Sequence, residues 1–140
     1  MKIATWNVNS VRVRLPHIVD WLKTSDCDVL LLQETKTINE TFPSTDFKSI
    51  NYEVAIVGQK SYNGVAVLSK FPIEILETSL PGDKKDSQAR YLEVLIKQKQ
   101  NKIRLSSIYL PNGNPIETSK FDYKIEWMKK FNKYILDLYD

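Results

Sequence analysis

The sequence reads Leu30-Leu31-Leu32-Gln33-Glu34-Thr35-Lys36 at the point that decides the fold, because an apolar run ends there abruptly in a carboxylate. Enzymes with α/β folds present functional groups at the carboxyl ends of their strands. A second segment of this kind, Thr5-Trp6-Asn7-Val8-Asn9, lies near the amino terminus. We therefore expect two strands whose polar ends share one edge of a sheet.

The composition is that of an ordinary globular protein. With 140 residues, 42% hydrophobic and 26% charged, the chain can bury one core, which excludes disordered and fibrous classes. The net charge of +3 permits a polyanionic partner without requiring one. The single cysteine, Cys27, excludes an intramolecular disulfide and a thiolate metal site. No apolar run reaches the roughly 18 residues that cross a bilayer, so we expect a cytoplasmic protein.

Hydrophobic periodicity divides the chain into a β-α-β opening, a series of strands and a terminal helix. Residues 2–8 form the first predicted strand, Pro16 opens a helix, and residues 28–32 form a buried strand parallel to the first. Apolar residues spaced by three and four over 118–139 predict an amphipathic helix capped by Thr118 or Ser119. Between them, a meander of strands is predicted over residues 53–57, 65–69, 73–78, 90–96 and 103–109, with hairpin connections at 60–64 and 97–101.

Glu34 is the first candidate for function. Mg²⁺ takes oxygen ligands, typically one or two carboxylates with water and substrate phosphate, and a glutamate at a strand end suits that role. The alternative is a surface carboxylate paired with Lys36. Asn7 and Asn9 are expected at the same edge, where an amide could orient the carboxylate or bond loop backbone instead. Together these residues favour a metal-dependent phosphodiesterase.

Tyr109, Arg90 and Asn112 are candidates near the ends of later strands. The Tyr109 phenol could donate to a phosphate oxygen, act as a charged group if a metal lowers its pKa, or lie in the core with its hydroxyl at the rim. Arg90 could bind phosphate or pair across the sheet. Asn112 lies in a turn-rich segment, and turn formation alone would explain it.

Basic residues near two helix starts could bind a phosphate backbone. Arg12 and Arg14 follow the first strand, and a guanidinium matches phosphate geometry. Lys120 and Lys124 lie four residues apart on one side of the last helix. Solvated helix surface is the alternative for all four. His17 is the only histidine and is expected on a helix surface, so the residues do not favour histidine catalysis.

Six ordered segments carry a specific resemblance. They are Thr5-Trp6-Asn7-Val8-Asn9-Ser10-Val11-Arg12, Leu32-Gln33-Glu34-Thr35-Lys36, Tyr62-Asn63-Gly64-Val65-Ala66, Gln88-Ala89-Arg90, Tyr109-Leu110-Pro111-Asn112-Gly113 and Lys120-Phe121-Asp122-Tyr123-Lys124. Taken together, over nearly the whole chain, they resemble the exonuclease III family, the abasic-site endonucleases within the endonuclease/exonuclease/phosphatase superfamily.

The resemblance implies a DNase I-like four-layer α/β sandwich with a mixed sheet and flanking helices. This chain would be its N-terminal half, a single truncated domain over residues 1–140. The implied activity is cleavage of DNA 5′ to abasic sites with Mg²⁺ or Mn²⁺, and trimming of 3′ ends, in a nucleoid-associated protein. Glu34 and Asn7 would form the metal site, and Tyr109 and Asn7 would act in catalysis. The implied DNA contacts are Arg12, Lys36, Tyr62, Asn63, Gly64, Arg90, Asn112, Lys120 and Lys124.

The departures from the family pattern concern its second half. Family members are nearly twice this long and carry a Gly-Asp-x-Asn segment, a further aspartate and a terminal Ser-Asp-His, which are missing from this sequence. We therefore expect this chain alone to be inactive, and one sheet to lack the partner sheet that covers its apolar face. The alternatives are another phosphodiesterase of the superfamily, or a non-catalytic fragment that binds DNA or a complementary C-terminal half.

Overall fold

The computed structural model describes residues 1–140 as seven strands and three helices, with a 3₁₀ turn at Asn39–Thr41. In chain order the elements are β1 (Ile3–Asn7), α1 (Val11–Ser25), β2 (Val29–Gln33), α2 (Ser44–Lys48), β3 (Glu53–Val57), β4 (Val65–Ser69), β5 (Ile73–Glu77), β6 (Tyr91–Gln98), β7 (Asn101–Ile108) and α3 (Ser119–Tyr139). Every predicted strand is present within a few residues, whereas α2 was not predicted. None of the helices combines the length and the apolar character needed to span a membrane.

Four strands form the first sheet in the order β1-β2-β4-β3. β1 and β2 are parallel, as predicted, with Asn7 opposite Gln33, whereas β4 runs antiparallel to both of its neighbours. β2 and β4 are buried at almost every position because they occupy the middle of the sheet. The carboxyl ends of β1 and β2 therefore lie side by side, and the chain leaves both strands at the same edge.

The other three strands form an antiparallel meander in the order β5-β6-β7. The predicted meander of five strands is therefore right for the last three and wrong for the first two, because β3 and β4 pair with each other and β4 pairs with β2 in the first sheet. Lys99 and Gln100 connect β6 to β7, and Lys99 takes a φ of 55°, which suits a tight hairpin turn. β5 carries a register shift between Ile75 and Glu77. This meander is the second sheet of the protein.

The second sheet covers one face of the first. β6 and β7 pack against β4, β7 also packs against β2, and β5 packs against β3. The layer between the sheets contains aliphatic side chains such as Val65, Val67, Val94 and Ile96. The expectation that one sheet would lack a partner is therefore wrong, because the meander folds back and its own apolar face covers the first sheet.

A polar contact, here called the sheet pin, joins the two sheets inside this apolar layer. The buried Ser107 hydroxyl on β7 donates to the Leu32 carbonyl at 2.8 Å and accepts from Gln33 Nε2 at 3.2 Å. These partners remove the penalty that an unpaired buried hydroxyl would carry. Because Gln33 immediately precedes Glu34, the pin adjoins the polar edge of the first sheet.

Helix α1 covers the opposite face of the first sheet, with Val11, Ile18 and Leu22 buried in the same cluster as Leu30 and Leu68. Burial of such side chains is the main favourable contribution to folding.

The start of α1 differs from the prediction. The helix begins at Val11 and not at Pro16, because the Ser10 hydroxyl accepts a hydrogen bond from the Val13 N–H at 3.3 Å and caps an earlier start. Pro16 lies inside the helix, on its exposed side. Arg12 consequently belongs to the first helical turn.

Helix α3 covers the outer face of the second sheet, and Thr118 is its N-cap residue, as predicted. The rings of Trp127 and Phe131 stack at 5.7 Å, and Phe131 meets the Tyr91 ring of β6 edge-on at 6.5 Å. The order of helix, sheet, sheet and helix confirms the expected four layers.

Candidate active site

Glu34 lies immediately beyond β2, and residues at the ends of two other strands, β1 and β7, donate hydrogen bonds to its carboxylate. Its Oε1 accepts a hydrogen bond from Asn7 Nδ2, at the end of β1, at 3.2 Å. The same oxygen accepts a short hydrogen bond from the hydroxyl of Tyr109, the residue that follows β7. The structure therefore brings together Asn7, Glu34 and Tyr109 at one rim of the sandwich.

The electrostatics of this contact differ for its two partners. The hydrogen bond from Tyr109 holds the pKa of the Glu34 carboxyl below its usual range, helped by Asn7 and Lys36 and opposed by partial burial. Burial, together with the bond to Glu34, raises the pKa of Tyr109 to about 12. Without a bound metal the phenol is therefore neutral near pH 7 and donates its proton to Glu34.

Lys36 and Asn9 complete the group of residues around Glu34, which is here called the rim cluster. Lys36 Nζ lies 3.6 Å from Glu34 Oε2 and donates to Asn9 Oδ1 at 2.5 Å. The Asn9 N–H donates in turn to Asn7 Oδ1 at 3.2 Å. The pairing of Glu34 with Lys36, which the sequence offered as the alternative to a functional site, is thus one part of the cluster.

The backbone around the rim cluster is unusual, because several residues other than glycine have positive φ. They are Asn9 at 43°, Ser10 at 84°, Glu34 at 53°, Lys36 at 55° and Asn63 at 54°. Such conformations cost on the order of 1 kcal/mol each and concentrate at functional sites. Backbone hydrogen bonds hold the loops in place, from Ser10 N to Glu34 O at 2.8 Å and from Lys36 N to Asn63 O at 2.9 Å.

An open cavity of about 610 Å³ is bounded by Tyr109. Its lining includes Arg90 and Lys120 but no aspartate, glutamate or histidine, so its walls favour an anionic ligand. The predicted DNA contacts that line it are Tyr62, Asn63, Arg90, Asn112 and Lys120.

The remaining predicted DNA contacts lie elsewhere. Lys36 belongs to the rim cluster, and Arg12 is exposed in the first turn of α1. Gly64 is buried with a φ of 95°, and a Cβ there would overlap the Thr35 hydroxyl, so glycine shapes the loop. Lys124 lies against Gly113 and its Nζ donates to the Asn112 carbonyl at 3.4 Å, which supports the turn from outside the cavity lining.

Sequence reasoning missed several residues in the cavity wall, among them Gln59, Gln88 and Tyr123. Gln59 Oε1 accepts hydrogen bonds from Asn63 Nδ2 at 3.0 Å and from the Ala89 N–H at 2.9 Å, which joins two loops. Tyr123 follows Lys120 by three residues on α3, and this spacing was the available signal. Gln59 carried no signal, because its partners are set by the folded loops, whereas Gln88 lies in one of the segments that carry the family resemblance.

The donor set at the rim fits part of a Mg²⁺ site. Mg²⁺ is commonly bound by one or two carboxylates, with water and substrate phosphate in the other positions. Glu34 supplies one carboxylate, whose Oε2 faces Lys36. Asn7 faces Glu34 with its amide nitrogen, while its amide oxygen accepts from the Asn9 N–H. No group of three or more His, Cys, Asp and Glu side chains that could hold a metal ion is found in the structure.

Comparison with known proteins identifies the family of this chain. The chain matches the model of the Endonuclease/Exonuclease/phosphatase family over residues 4–104. It is similar to exodeoxyribonuclease III of Haemophilus influenzae, with 27% identity over 136 residues, covering 96% of this chain and 51% of that protein. An exodeoxyribonuclease of Bacillus subtilis is 29% identical over 144 residues, covering 99% of this chain and 53% of that protein.

Solved structures show the same fold. A 3′ phosphatase from Neisseria, bound to a product DNA hairpin, matches with a TM-score of 0.92 and 34% identity, over 98% of this chain and 52% of that chain. An AP endonuclease from Archaeoglobus fulgidus matches with a TM-score of 0.88 and 38% identity, over 96% of this chain and 51% of that chain. The expected DNase I-like fold is confirmed.

The chain spans about half the length of the relatives it matches. The family match nevertheless covers well over half of this chain, and the fold agrees with it. The chain therefore belongs to the endonuclease/exonuclease/phosphatase family.

Proposed function

We propose that this chain carries one half of the catalytic site of a Mg²⁺-dependent DNA repair nuclease of the exodeoxyribonuclease III type. The whole enzyme would hydrolyse the phosphodiester 5′ to abasic sites and trim 3′ ends. The observation that carries the proposal is the convergence of Asn7, Glu34 and Tyr109, the last of which also bounds an electropositive cavity. The names of the relatives, exodeoxyribonuclease III and AP endonuclease, support the same reaction class.

Each residue of the rim cluster has a distinct task in this proposal. Glu34 would hold Mg²⁺ together with Asn7, whose amide would turn its oxygen toward the ion, and the bound metal would supply charge neutralisation at the scissile phosphate. Tyr109 carries its neutral phenol between Glu34 and the cavity, where the hydroxyl can donate to the carboxylate or to a phosphate oxygen. Lys36 offsets the charge of Glu34 and orients Asn9.

The cavity is the proposed path of the DNA backbone. Arg90 and Lys120 supply positive charge, Asn63 and Asn112 supply amide groups, and Tyr62, which is 70% exposed, supplies an aromatic surface. Arg12 would extend this contact along α1. Gly64 and Lys124 would act through the loops that they support.

We further propose that this chain does not hydrolyse DNA by itself. Hydrolysis requires a base that activates water and a group that stabilises the leaving oxygen. The cavity lining has no aspartate, glutamate or histidine, and His17 is exposed on α1. A polypeptide equivalent to the other half of the relatives would supply these groups, so mixing the two should restore incision.

The test is incubation of the purified chain with abasic duplex DNA and Mg²⁺, with binding measured over a range of salt concentrations. We expect salt-dependent binding without incision. Lys120→Gln should weaken binding and reduce the slope of log K against log salt by about one. Lys133→Gln, an exposed lysine further along α3, is the matched control and should leave the slope unchanged.

Three outcomes would contradict parts of the proposal. Binding that does not depend on salt would contradict the DNA path through the cavity. Incision by this chain that is lost in Glu34→Ala would contradict the predicted inactivity. Displacement of DNA by phosphoinositides at low concentration would favour another phosphodiesterase of the superfamily.

A further inference from the structure

Arg90 lies between two aromatic rings that come from different layers of the fold. Its guanidinium carbon is 5.0 Å from the ring centroid of Tyr109, which follows β7, and 5.6 Å from that of Tyr123, on α3. A planar cation favours such positions over the faces of aromatic rings. The side chain therefore connects the end of the second sheet to the helix that covers it.

Hydrogen bonds fix the orientation of the Arg90 guanidinium. Its Nε donates to Gln88 Oε1 at 2.8 Å, and Nη1 donates to the Tyr109 carbonyl at 3.2 Å. The Tyr109 N–H donates back to the Arg90 carbonyl at 2.8 Å. No carboxylate forms an ion pair with Arg90, so its partners are the two rings and these neutral oxygens.

Each of the two phenols ends on a carboxylate. The Tyr109 hydroxyl donates to Glu34, and the Tyr123 hydroxyl donates to Asp86 Oδ2 at 2.5 Å. Glu34, Tyr109, Arg90, Tyr123 and Asp86 thus form a continuous series from the rim of the first sheet to α3, here called the arginine stack. Because Arg90 lies in the middle of the arginine stack, replacing its planar side chain should alter the surroundings of both tyrosine rings.

We propose that Arg90 is a positioning residue, which directs the Tyr109 hydroxyl toward Glu34 by holding the Tyr109 ring against the Tyr123 ring of α3. This inference rests on the proposed function for its catalytic meaning, because Tyr109 acts in the reaction only if the rim cluster does. It differs from the simple phosphate contact that the sequence predicted. A phosphate contact requires positive charge, whereas the arginine stack requires a flat group with two faces.

The two roles separate in the variant Arg90→Lys, which keeps the charge but removes the planar group. The readout is solution NMR of the full 140-residue chain, with tyrosines labelled with ¹³C at Cζ, the carbon that bears the hydroxyl. Tyr109→Phe and Tyr123→Phe assign the two signals. We expect both signals to move in Arg90→Lys by more than their line widths.

Another tyrosine and another arginine provide the controls. Tyr52 is buried in a separate cluster and should keep its signal in Arg90→Lys, which reports an intact fold. Arg14→Lys on α1 should move neither stack signal. Tyr123→Leu removes one ring without changing charge, and should move the Tyr109 signal through Arg90; this variant decides the question if Arg90→Lys fails to fold.

Unchanged Tyr109 signals in both Arg90→Lys and Tyr123→Leu would overturn the proposal, as would movement of the Tyr123 signal alone. DNA binding distinguishes this failure from failure of the proposed function. If both signals move but the chain shows no salt-dependent DNA binding, the positioning role stands and the nuclease proposal fails. If binding is present and the signals are unchanged, the reverse holds.

Discussion

Two glutamates in this molecule each accept a hydrogen bond from a tyrosine and lie beside a basic side chain, but only Glu34 lies at the rim, bonded to a tyrosine that bounds an open cavity. Glu93 on β6, with its side chain 1% exposed, accepts hydrogen bonds from Tyr91 at 2.7 Å and Tyr134 at 2.8 Å and pairs with Arg104. Helix α3, which contributes Tyr134, covers it. This group, here called the helix cluster, has both carboxylate oxygens occupied.

Glu34 has comparable partners, but only one of its two carboxylate oxygens accepts hydrogen bonds. Its side chain is 20% exposed, its Oε1 accepts hydrogen bonds from both Asn7 and Tyr109, and its Oε2 lies 3.6 Å from Lys36 Nζ. Its backbone is left-handed, whereas Glu93 lies in a regular strand. Residue type alone therefore does not separate the two glutamates, whereas an acceptor oxygen without a hydrogen-bond donor, a left-handed backbone and a bonded tyrosine in a cavity wall do.

The largest expected difference between the clusters is in stability. Glu93→Ala leaves the buried Tyr91 phenol, the partly buried Tyr134 phenol and Arg104 without their acceptor, so we expect a loss of about 3 kcal/mol in the free energy of unfolding. Glu34→Ala should cost much less, because its partners can turn to water at the rim. Urea denaturation measures the free energy of unfolding of both variants, and equal losses would contradict the expected difference between the two clusters.

Metal response should separate the clusters next. Mn²⁺ is paramagnetic and should broaden the ring signals of Tyr109 while leaving those of Tyr134 sharp, because only the rim cluster offers an open carboxylate. Glu34→Gln should weaken this effect about tenfold, which corresponds to roughly 1.4 kcal/mol. Equal broadening of both tyrosines would place the metal elsewhere.

Alkaline pH should act on both clusters. Burial first, and the bond to a glutamate next, raise the pKa values of Tyr109 and Tyr134 from 10 to about 12. Stabilisation from a raised pKa is complete below the unfolded value of about 10 and is lost as pH rises toward 12. Tyr109→Phe and Tyr134→Phe should therefore each flatten the fall in stability over pH 10 to 12, measured by thermal unfolding.

Acid pH should remove the stability that Glu34 contributes to the rim cluster. The pKa of Glu34 is lowered, chiefly by the bond from Tyr109, so its contribution is present above the unfolded value of about 4.5 and is lost as pH falls through the folded value. We expect Tyr109→Phe to flatten the acid limb of the stability profile as well as the alkaline one. An acid limb in Tyr109→Phe as steep as that of the wild-type chain would contradict the assigned cause.

The smallest effect is expected at an exposed ion pair on α3, which serves as the baseline. Lys133 Nζ lies 2.6 Å from Asp137 Oδ2, with the two side chains 77% and 58% exposed. Such pairs contribute little because water screens them and both side chains lose freedom. Asp137→Asn should change stability by less than about 0.5 kcal/mol in the urea assay.

Local sequence patterns were sufficient to predict the first sheet edge. The parallel pair β1 and β2, which places Asn7 beside Glu34, follows from a β-α-β unit of short separation. The start of α1 was not predicted, because the Ser10 cap competes with the more obvious signal of Pro16. The return of the meander over the first sheet was not predicted either, since nothing in a strand pattern says which face it will cover.

The candidate site was predictable in its polar strand ends and less so in its supports. Asn7 ends a strand, and Glu34 and Tyr109 each follow one directly, which is a visible signal. Tyr123 and the helix cluster were missed, because their contacts join residues far apart in sequence. Glu93 interrupts an apolar strand in the sequence, and a charge in such a place predicts a buried partner without naming it.

The sheet pin has a consequence for how finely the rim is aligned. Facing layers of aliphatic side chains have little directional preference and could settle at several offsets along the strands. Residues in a strand are spaced by about 3.3 Å, so slippage by one residue would carry the Tyr109 hydroxyl out of reach of Glu34. The hydrogen bonds of the Ser107 hydroxyl with Leu32 and Gln33 can form at only one of these offsets. A small polar group in the core therefore sets the alignment of Tyr109 with Glu34 in the rim cluster.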